Sequence, residues 1–121
     1  MRGLGIDIVE VKRIAEKCQK SGFIKLVFTP LEEAYCQAQG QSSPSFAARF
    51  AAKEAYMKAM GLGWANEAQF HEIEVISLDS GQPKLLLHGS TKTFFDREGY
   101  NDILLTLSHT KQTAVAVVIV V

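Results

Sequence analysis

The residues most able to do chemistry are four charged side chains spaced along one apolar, alanine-rich segment. Residues 46–60 read FAARFAAKEAYMKAM, which predicts a helix. At about 100° per residue, Arg49 and Lys53 lie on one edge of this helix and Glu54 and Lys58 on another, with packed faces between them. The charges are therefore either a solvated strip with an i,i+4 Glu–Lys pair, or a site in which three cations and one carboxylate bind a phosphate-bearing ligand.

A second unusual residue is Asp7, which lies between Ile6 and Ile8 in an apolar stretch typical of a strand. An unpaired carboxylate is costly to bury, so Asp7 either faces solvent or has a partner. If Asp7 and Glu54 meet in space, they form a site for a hard cation. Mg²⁺ is typically held by one or two carboxylates together with waters and substrate phosphates, and nearby cations would suit a magnesium-bound pyrophosphate.

Motifs for other kinds of chemistry are weak or absent. Ser108 and His109 could belong to a hydrolase, but no GxSxG elbow occurs, and neighbouring residues on a strand point to opposite faces. The phosphate-binding motifs GxxxxGK[ST] and GxGxxG are also missing. Cys18 and Cys36 lack metal-ligand spacing, and we expect both to be small buried hydrophobic residues.

The elements that must position these residues predict one compact α+β domain over residues 1–121, with an antiparallel sheet and packed helices. Hydrophobic periodicity and turn residues predict strands over residues 4–9, 71–78, 84–88, 103–108 and 113–121, and helices over residues 10–20, 30–39, 45–60 and 90–98. Thr29 and Glu32 form a capping box around Pro30, and Ser90 is the expected cap of the last helix.

Composition excludes some classes of function. The chain has 121 residues with 13 Lys+Arg and 13 Asp+Glu, and this neutral balance argues against a general nucleic-acid binder. The longest apolar run covers residues 114–121, short of the roughly 18–20 residues needed to cross a bilayer, so we expect a cytoplasmic protein without membrane insertion. The charges are unevenly distributed, because residues 1–61 hold nine of the 13 cations and only six of the 13 acids.

Two segments resemble the signature blocks of holo-[acyl-carrier-protein] synthases, the small 4′-phosphopantetheinyl transferases of fatty-acid synthesis. These segments are GIDIVE at residues 5–10 and RFAAKEA at residues 49–55. Lys58, GLG at residues 61–63 and LSHT at residues 107–110 follow in the family's order, so the resemblance covers essentially the whole chain. Leu62 departs from the family, which often has a small hydroxyl residue there, and residues 64–66 are also unusual.

The resemblance implies a reaction in which a serine of apo acyl carrier protein receives 4′-phosphopantetheine from coenzyme A, leaving adenosine 3′,5′-bisphosphate. It implies that Asp7 and Glu54 hold Mg²⁺ on the pyrophosphate and that Lys58 stabilises charge on the transferred or leaving phosphate. The general base is left open between a metal-bound water, a carboxylate acting through water and a side chain in direct contact.

The resemblance also implies contacts with the rest of coenzyme A. Arg49, Lys53, His109 and Gly61 would contact this substrate, with Arg49 and His109 near its 3′-phosphate. The departures at residues 62–66 leave the contacts to the adenine undefined.

Partners follow from the same resemblance. It implies a homotrimer with sites at subunit interfaces, in which the final strand packs at or near the threefold centre. The absence of polar alternation in residues 114–121 fits a strand that is covered on both faces. Because the acyl carrier protein is acidic in this family, Arg13, Lys17 and Lys20 form the candidate docking surface, with Arg13 as the principal residue. The alternative for these three residues is an ordinary solvated helix face.

Two other classes of function stay open from the residues alone. One is a non-catalytic assembly or binding protein that keeps the α+β fold, and the other is a hydrolase that uses His109. The presence of Asp7, Glu54 and Lys58 favours the enzyme over the first, and the missing elbow disfavours the second.

Overall fold

The computed structural model describes residues 1–63 and 69–121, which form five helices, five strands and a single 3₁₀ turn at Phe70–Glu72. In chain order the helices and strands are β1 (Gly3–Glu10), α1 (Val11–Cys18), α2 (Phe23–Val27), α3 (Pro30–Gln37), α4 (Ser42–Met60), β2 (Ile73–Ser77), β3 (Pro83–Leu87), α5 (Gly89–Arg97), β4 (Ile103–His109) and β5 (Thr113–Val120). The predicted α+β class with antiparallel sheets is confirmed for these residues.

The three-stranded sheet joins the two ends of the described chain. Its strand order is β1-β5-β4, and both pairings are antiparallel. Asp7 on β1 and Leu107 on β4 both lie opposite Ala116 on the central strand. Strands β2 and β3 form a separate two-stranded hairpin.

Helix α4 packs across one face of this sheet, and small residues on both elements allow a close approach. Ala51 and Ala55 on the helix and Ala114 and Ala116 on β5 are fully buried. On β1 the approach is closer still, because a Cβ added at Gly5 would overlap the carbonyl oxygen of Ala55. The backbone of β1 therefore lies directly against α4.

The opposite face of the sheet is apolar and largely uncovered within one chain. Alternate residues of β1 point away from α4, and Leu4, Ile6 and Ile8 are exposed. Leu4 lies opposite Ile119 on β5, which lies opposite the exposed Leu104 on β4. The structure thus places a row of large apolar side chains across all three strands of the sheet.

Several predicted boundaries differ from the structure for local reasons. Helix α1 ends at Cys18, so Lys20 lies in the turn beyond it. Helix α2 was not predicted, because five residues are too few to show helical periodicity. Helix α4 begins at Ser42 rather than near Ser45, since proline is tolerated in a first helical turn and Pro44 lies there.

The expected cap of the last helix is wrong. Helix α5 begins at Gly89, and Ser90 lies within its first turn. The carboxylate of Glu72 accepts hydrogen bonds from the backbone N–H and hydroxyl groups of both Ser90 and Thr91. Burial alone would raise the pKa of Glu72, but these hydrogen bonds outweigh it and lower the pKa. Glu72, which is distant in sequence, therefore caps the N-terminus of α5 as Ser90 was expected to do.

Two further expectations concern burial and membranes. Cys36 is buried as expected, whereas Cys18 is only partly buried. In the described ranges, none of the helices combines the length and the hydropathy of a membrane span.

The contact between β1 and α4 can be tested by adding one methyl group. We expect Gly5→Ala to lower the free energy of unfolding by about 3 kcal/mol, because the helix backbone must move to admit the Cβ. Urea denaturation followed by circular dichroism measures this change. Gly40→Ala is the matched control, since no atom lies within 4 Å of a Cβ there, and its effect should stay within about 0.5 kcal/mol. Equal stability of the two variants would contradict the close approach.

Candidate functional site

Asp7 and Lys58 form an ion pair that links β1 to α4. Lys58 Nζ donates to Asp7 Oδ1 at 3.0 Å and to the carbonyl oxygen of Ile6 at 3.1 Å. The Asp7 side chain is 11% exposed, and its second oxygen, Oδ2, is buried without a hydrogen-bond donor among the described residues. Because buried polar atoms are nearly always satisfied, this oxygen is suited to receive a ligand.

Glu54 lies one helical turn before Lys58 and near Asp7. Burial, followed by the negative charge of Asp7, raises the pKa of Glu54, while the positive charges of Lys58, Arg13 and Lys17 partly offset the rise. One carboxylate raises the pKa of another when the two share a site. The structure thus brings Asp7, Glu54 and Lys58 together, and the basic face of α1 adjoins them.

The chemistry of these two carboxylates fits a hard divalent cation. A cation between Asp7 and Glu54 would satisfy the unpartnered Asp7 oxygen and relieve the repulsion that raises the pKa of Glu54. Over residues 1–63 and 69–121, no three His, Cys, Asp or Glu side chains converge on one position. A metal ion held here would therefore take its remaining ligands from water and substrate, as Mg²⁺ commonly does.

Lys53, on the other edge of α4, has a different environment from the one predicted. Its side chain is fully buried, and Nζ donates to Glu32 Oε1 at 2.7 Å and to the carbonyl oxygens of Phe70 and Ile73 at 2.8 and 2.5 Å. Burial lowers the pKa of Lys53, and the adjacent Glu32 partly restores it. A lysine has three N–H donors, and all are used. Lys53 therefore joins α4 to α3 and β2, and these contacts use the N–H donors that the expected contact with coenzyme A would need.

Glu32 has more contacts than its place in the capping box indicated. The capping box is present, with the Thr29 hydroxyl accepting from the Glu32 N–H and Glu32 Oε1 accepting from the Thr29 N–H. The same carboxylate also accepts from the Val75 N–H at 2.9 Å and from Lys53. The local motif predicted the first role, but it carries no signal for contacts with residues 21 and 43 positions away.

Arg49 and His109 line one cleft with a volume of about 200 Å³, between α3, α4, the β2–β3 hairpin and β4. Arg49 is only 4% exposed, and its Nε has no acceptor among the described residues. Within these residues it also forms no ion pair with a carboxylate. His109 is exposed at the end of β4. A guanidinium that has no carboxylate partner in the described part of the chain, and that lines one cleft with an imidazole, is suited to bind a phosphate.

Tyr35, which sequence analysis did not select, lines the same cleft. The guanidinium carbon of Arg49 lies 4.1 Å from the centroid of the Tyr35 ring. A tyrosine in a short helix gives no sequence signal of this contact, because its partner lies on another helix.

Gly61 and the three basic residues of the predicted docking surface, on α1 and in the turn after it, complete the predicted site residues. Gly61 ends α4 with a φ of +70°, which favours glycine, and this accounts for its presence without a ligand. Arg13 and Lys20 are exposed, whereas Lys17 is half-buried with Nζ 5.8 Å from the centroid of the Phe23 ring. The unusual segment at residues 64–66 lies outside the described residues.

Comparison with known proteins identifies a family that matches nearly the whole chain. Residues 3–118 match the family model of the 4′-phosphopantetheinyl transferase superfamily. A holo-[acyl-carrier-protein] synthase from Koribacter versatilis is 44% identical over 119 residues, which cover 97% of this chain and 95% of that protein.

Solved structures of synthases also match over nearly the full chain. The structure of the Neisseria meningitidis synthase has a TM-score of 0.90 at 30% identity and covers 99% of this chain and 98% of that chain. The structure of a Bacillus anthracis synthase in complex with CoA (3′,5′-ADP) has a TM-score of 0.82 at 35% identity and covers 98% of this chain and 95% of that chain. The chain therefore belongs to the holo-[acyl-carrier-protein] synthase family, and it is a phosphopantetheinyl transferase.

Proposed function

We propose that this enzyme transfers 4′-phosphopantetheine from coenzyme A to a serine of apo acyl carrier protein, with Mg²⁺ as cofactor and adenosine 3′,5′-bisphosphate as the second product. The observation that carries the proposal is the buried Oδ2 of Asp7, which has no hydrogen-bond donor among the described residues and lies near Glu54 and Lys58. A coenzyme A complex of a related synthase supports the choice of substrate. A place in fatty-acid synthesis and a cytoplasmic location are further predictions from the family resemblance.

The reaction is a displacement at the β-phosphorus of coenzyme A. A bond forms between this phosphorus and the serine oxygen, and the bond to the bridging oxygen breaks, so the nucleotide leaves with both its remaining phosphates. The serine proton passes to a base that is still to be identified. Such transfers depend mainly on positioning and on neutralising charge.

Lys58 and a cation held by Asp7 and Glu54 would supply most of that neutralisation. Asp7 and Glu54 would hold Mg²⁺, which would offset the charge of the pyrophosphate. Lys58 uses two of its three N–H donors on Asp7 and the Ile6 carbonyl, and its side chain is 55% exposed. The third donor has no acceptor among the described residues and can reach a phosphate oxygen, so Lys58 stabilises negative charge on the group that is transferred or leaves.

Arg49 and His109 would bind the 3′-phosphate end of coenzyme A. The cleft that they share presents a buried guanidinium without a carboxylate partner among the described residues, and a dianionic phosphate would satisfy it. No specific observation favours a hydrolase, because Ser108 and His109 are consecutive on β4 and so point to opposite faces.

A trimer with sites between subunits would bring the two groups of residues to one substrate molecule. Arg49 and Glu54 are five residues apart on α4, which separates them by about 140° around the helix. One chain thus presents the carboxylate pair and the phosphate cleft on different sides of α4. The exposed apolar sheet face of Leu4, Ile6, Ile8 and Leu104 provides a surface for association.

The transfer itself can be tested by mass spectrometry. The protein is incubated with coenzyme A, Mg²⁺ and an apo acyl carrier protein, and we expect the carrier to gain the mass of phosphopantetheine. Glu54→Gln should slow the reaction about 100-fold or more, because a bound metal contributes several kcal/mol to such transfers. The exposed Glu98→Gln is the matched control and should retain the rate.

Two outcomes would contradict these assignments. If the carrier stays unmodified while an independent synthase modifies the same preparation, the proposed reaction is excluded. Full activity of a folded Glu54→Gln variant would remove Glu54 from the metal site.

The docking surface can be tested by reversing one charge. Arg13→Glu should raise the KM for the carrier protein about tenfold and leave the KM for coenzyme A nearly unchanged, because an acidic partner would meet a like charge. Steady-state kinetics with each substrate varied in turn measures the effect. Arg97→Glu on α5 is the control, and equal losses for both substrates in Arg13→Glu would contradict docking.

The oligomeric state can be tested by light scattering. We expect the mass of three chains at micromolar concentration, and Leu4→Asp should give monomers with little transferase activity, since a charge cannot be buried at an apolar interface without a partner. Leu31→Asp is the control, because Leu31 is similarly exposed but lies on α3. A monomeric parent protein would overturn the trimer.

A further inference from the structure

Among the described residues, the ring of Tyr35 contacts the nearly buried guanidinium of Arg49 in the phosphate cleft. The guanidinium carbon lies over the Tyr35 ring at 4.1 Å from its centroid. Within residues 1–63 and 69–121, the Arg49 side chain has no carboxylate partner and no hydrogen-bond acceptor. An aromatic face stabilises a desolvated cation electrostatically, so the ring offsets part of the cost of burying Arg49.

The type of contact determines what remains free for a ligand. A carboxylate partner would occupy the N–H groups of the guanidinium, whose five donors lie in its plane. An aromatic ring instead contacts the face of the guanidinium and leaves its N–H edge free. Tyr35 thus restrains Arg49 without competing with the anion that Arg49 is suited to bind.

The position of Tyr35 is itself fixed by a neighbouring contact. Glu32 and Tyr35 are three residues apart on α3, and Lys53 and Arg49 are four residues apart on α4, so each pair lies on one face of its helix. The buried Glu32–Lys53 ion pair and the Tyr35–Arg49 contact are therefore consecutive links between the two helices. The first link holds the helices in register, and this register sets where the ring meets the guanidinium.

We propose that Tyr35 is a positioning residue that holds the guanidinium of Arg49 towards the 3′-phosphate of coenzyme A, and so contributes to selection for the 3′-phosphorylated substrate. This inference rests on the proposed function. Tyr35, which is 40% exposed, lines the cleft shared by Arg49 and His109 and acts through Arg49 rather than on the reacting phosphate.

The test compares substrates that differ only in the 3′-phosphate. Tyr35→Leu keeps the apolar bulk but removes the aromatic face, so it should raise the KM for coenzyme A about fivefold to tenfold with kcat within about twofold. Its KM for dephospho-coenzyme A, which lacks the 3′-phosphate, should stay unchanged. Tyr35→Phe keeps the ring and should restore the parent value.

The chain offers a matched control for loss of an arginine–tyrosine contact. The guanidinium carbon of Arg2 lies 3.9 Å from the centroid of the Tyr100 ring, outside the cleft. Tyr100→Leu removes a contact of the same kind and should leave both KM values unchanged. Thermal unfolding of each variant identifies any general loss of structure.

Equilibrium binding separates this proposal from the transfer reaction. Calorimetric titration with adenosine 3′,5′-bisphosphate and with 5′-AMP should show that Tyr35→Leu weakens only the first, even if the parent protein transfers nothing to the carrier. Selective loss of affinity without any transfer would exclude the proposed reaction but support the role of Tyr35. Equal loss of affinity for both nucleotides, no loss for either, or a parent protein that does not distinguish them would overturn the role of Tyr35.

Discussion

The backbone of β1 lies directly against α4 because Gly3 and Gly5 have no side chains, and the arrangement of Asp7, Glu54 and Lys58 depends on that contact. Asp7 is on the same face of β1 as the two glycines, so a strand held close to the helix brings its carboxylate to the end of the Lys58 side chain. A larger residue at either glycine would push the strand outwards. The Asp7 carboxylate is thus positioned by the absence of side chains at Gly5 and Gly3, two and four residues earlier.

Helix α4 carries three cations with different roles. Lys53 is buried and fully hydrogen-bonded, so its charge serves the packing of three elements. Lys58 is exposed, and one of its N–H donors has no acceptor among the described residues. Arg49 is buried, and its N–H groups are unpaired among the same residues. The three cations look alike in sequence, and only their partners distinguish the structural one from those suited to a ligand.

Much of the fold and part of the candidate site could be predicted from the sequence because their signals are local. The helical periodicity of residues 45–60, the capping box at Thr29 and the short apolar segments of the strands were all visible over short windows. The environment of Lys53 was not, because it is determined by Glu32 and Ile73, each about 20 residues away. The cap that Glu72 provides for α5, and the partner of Arg49 on α3, were missed for the same reason.

The central position of β5 has a consequence for synthesis of the protein. Strand β1 pairs only with β5 in the described sheet, and their residues are more than 100 positions apart. Pairings between segments so distant in sequence form late, because a long loop must close before any hydrogen bond is gained. While the ribosome is still adding residues 113–120, β1 has no strand to complete its hydrogen bonds. A nascent chain interrupted before that point would contain every charged residue of the proposed metal site and still lack the strand that holds β1 in the sheet.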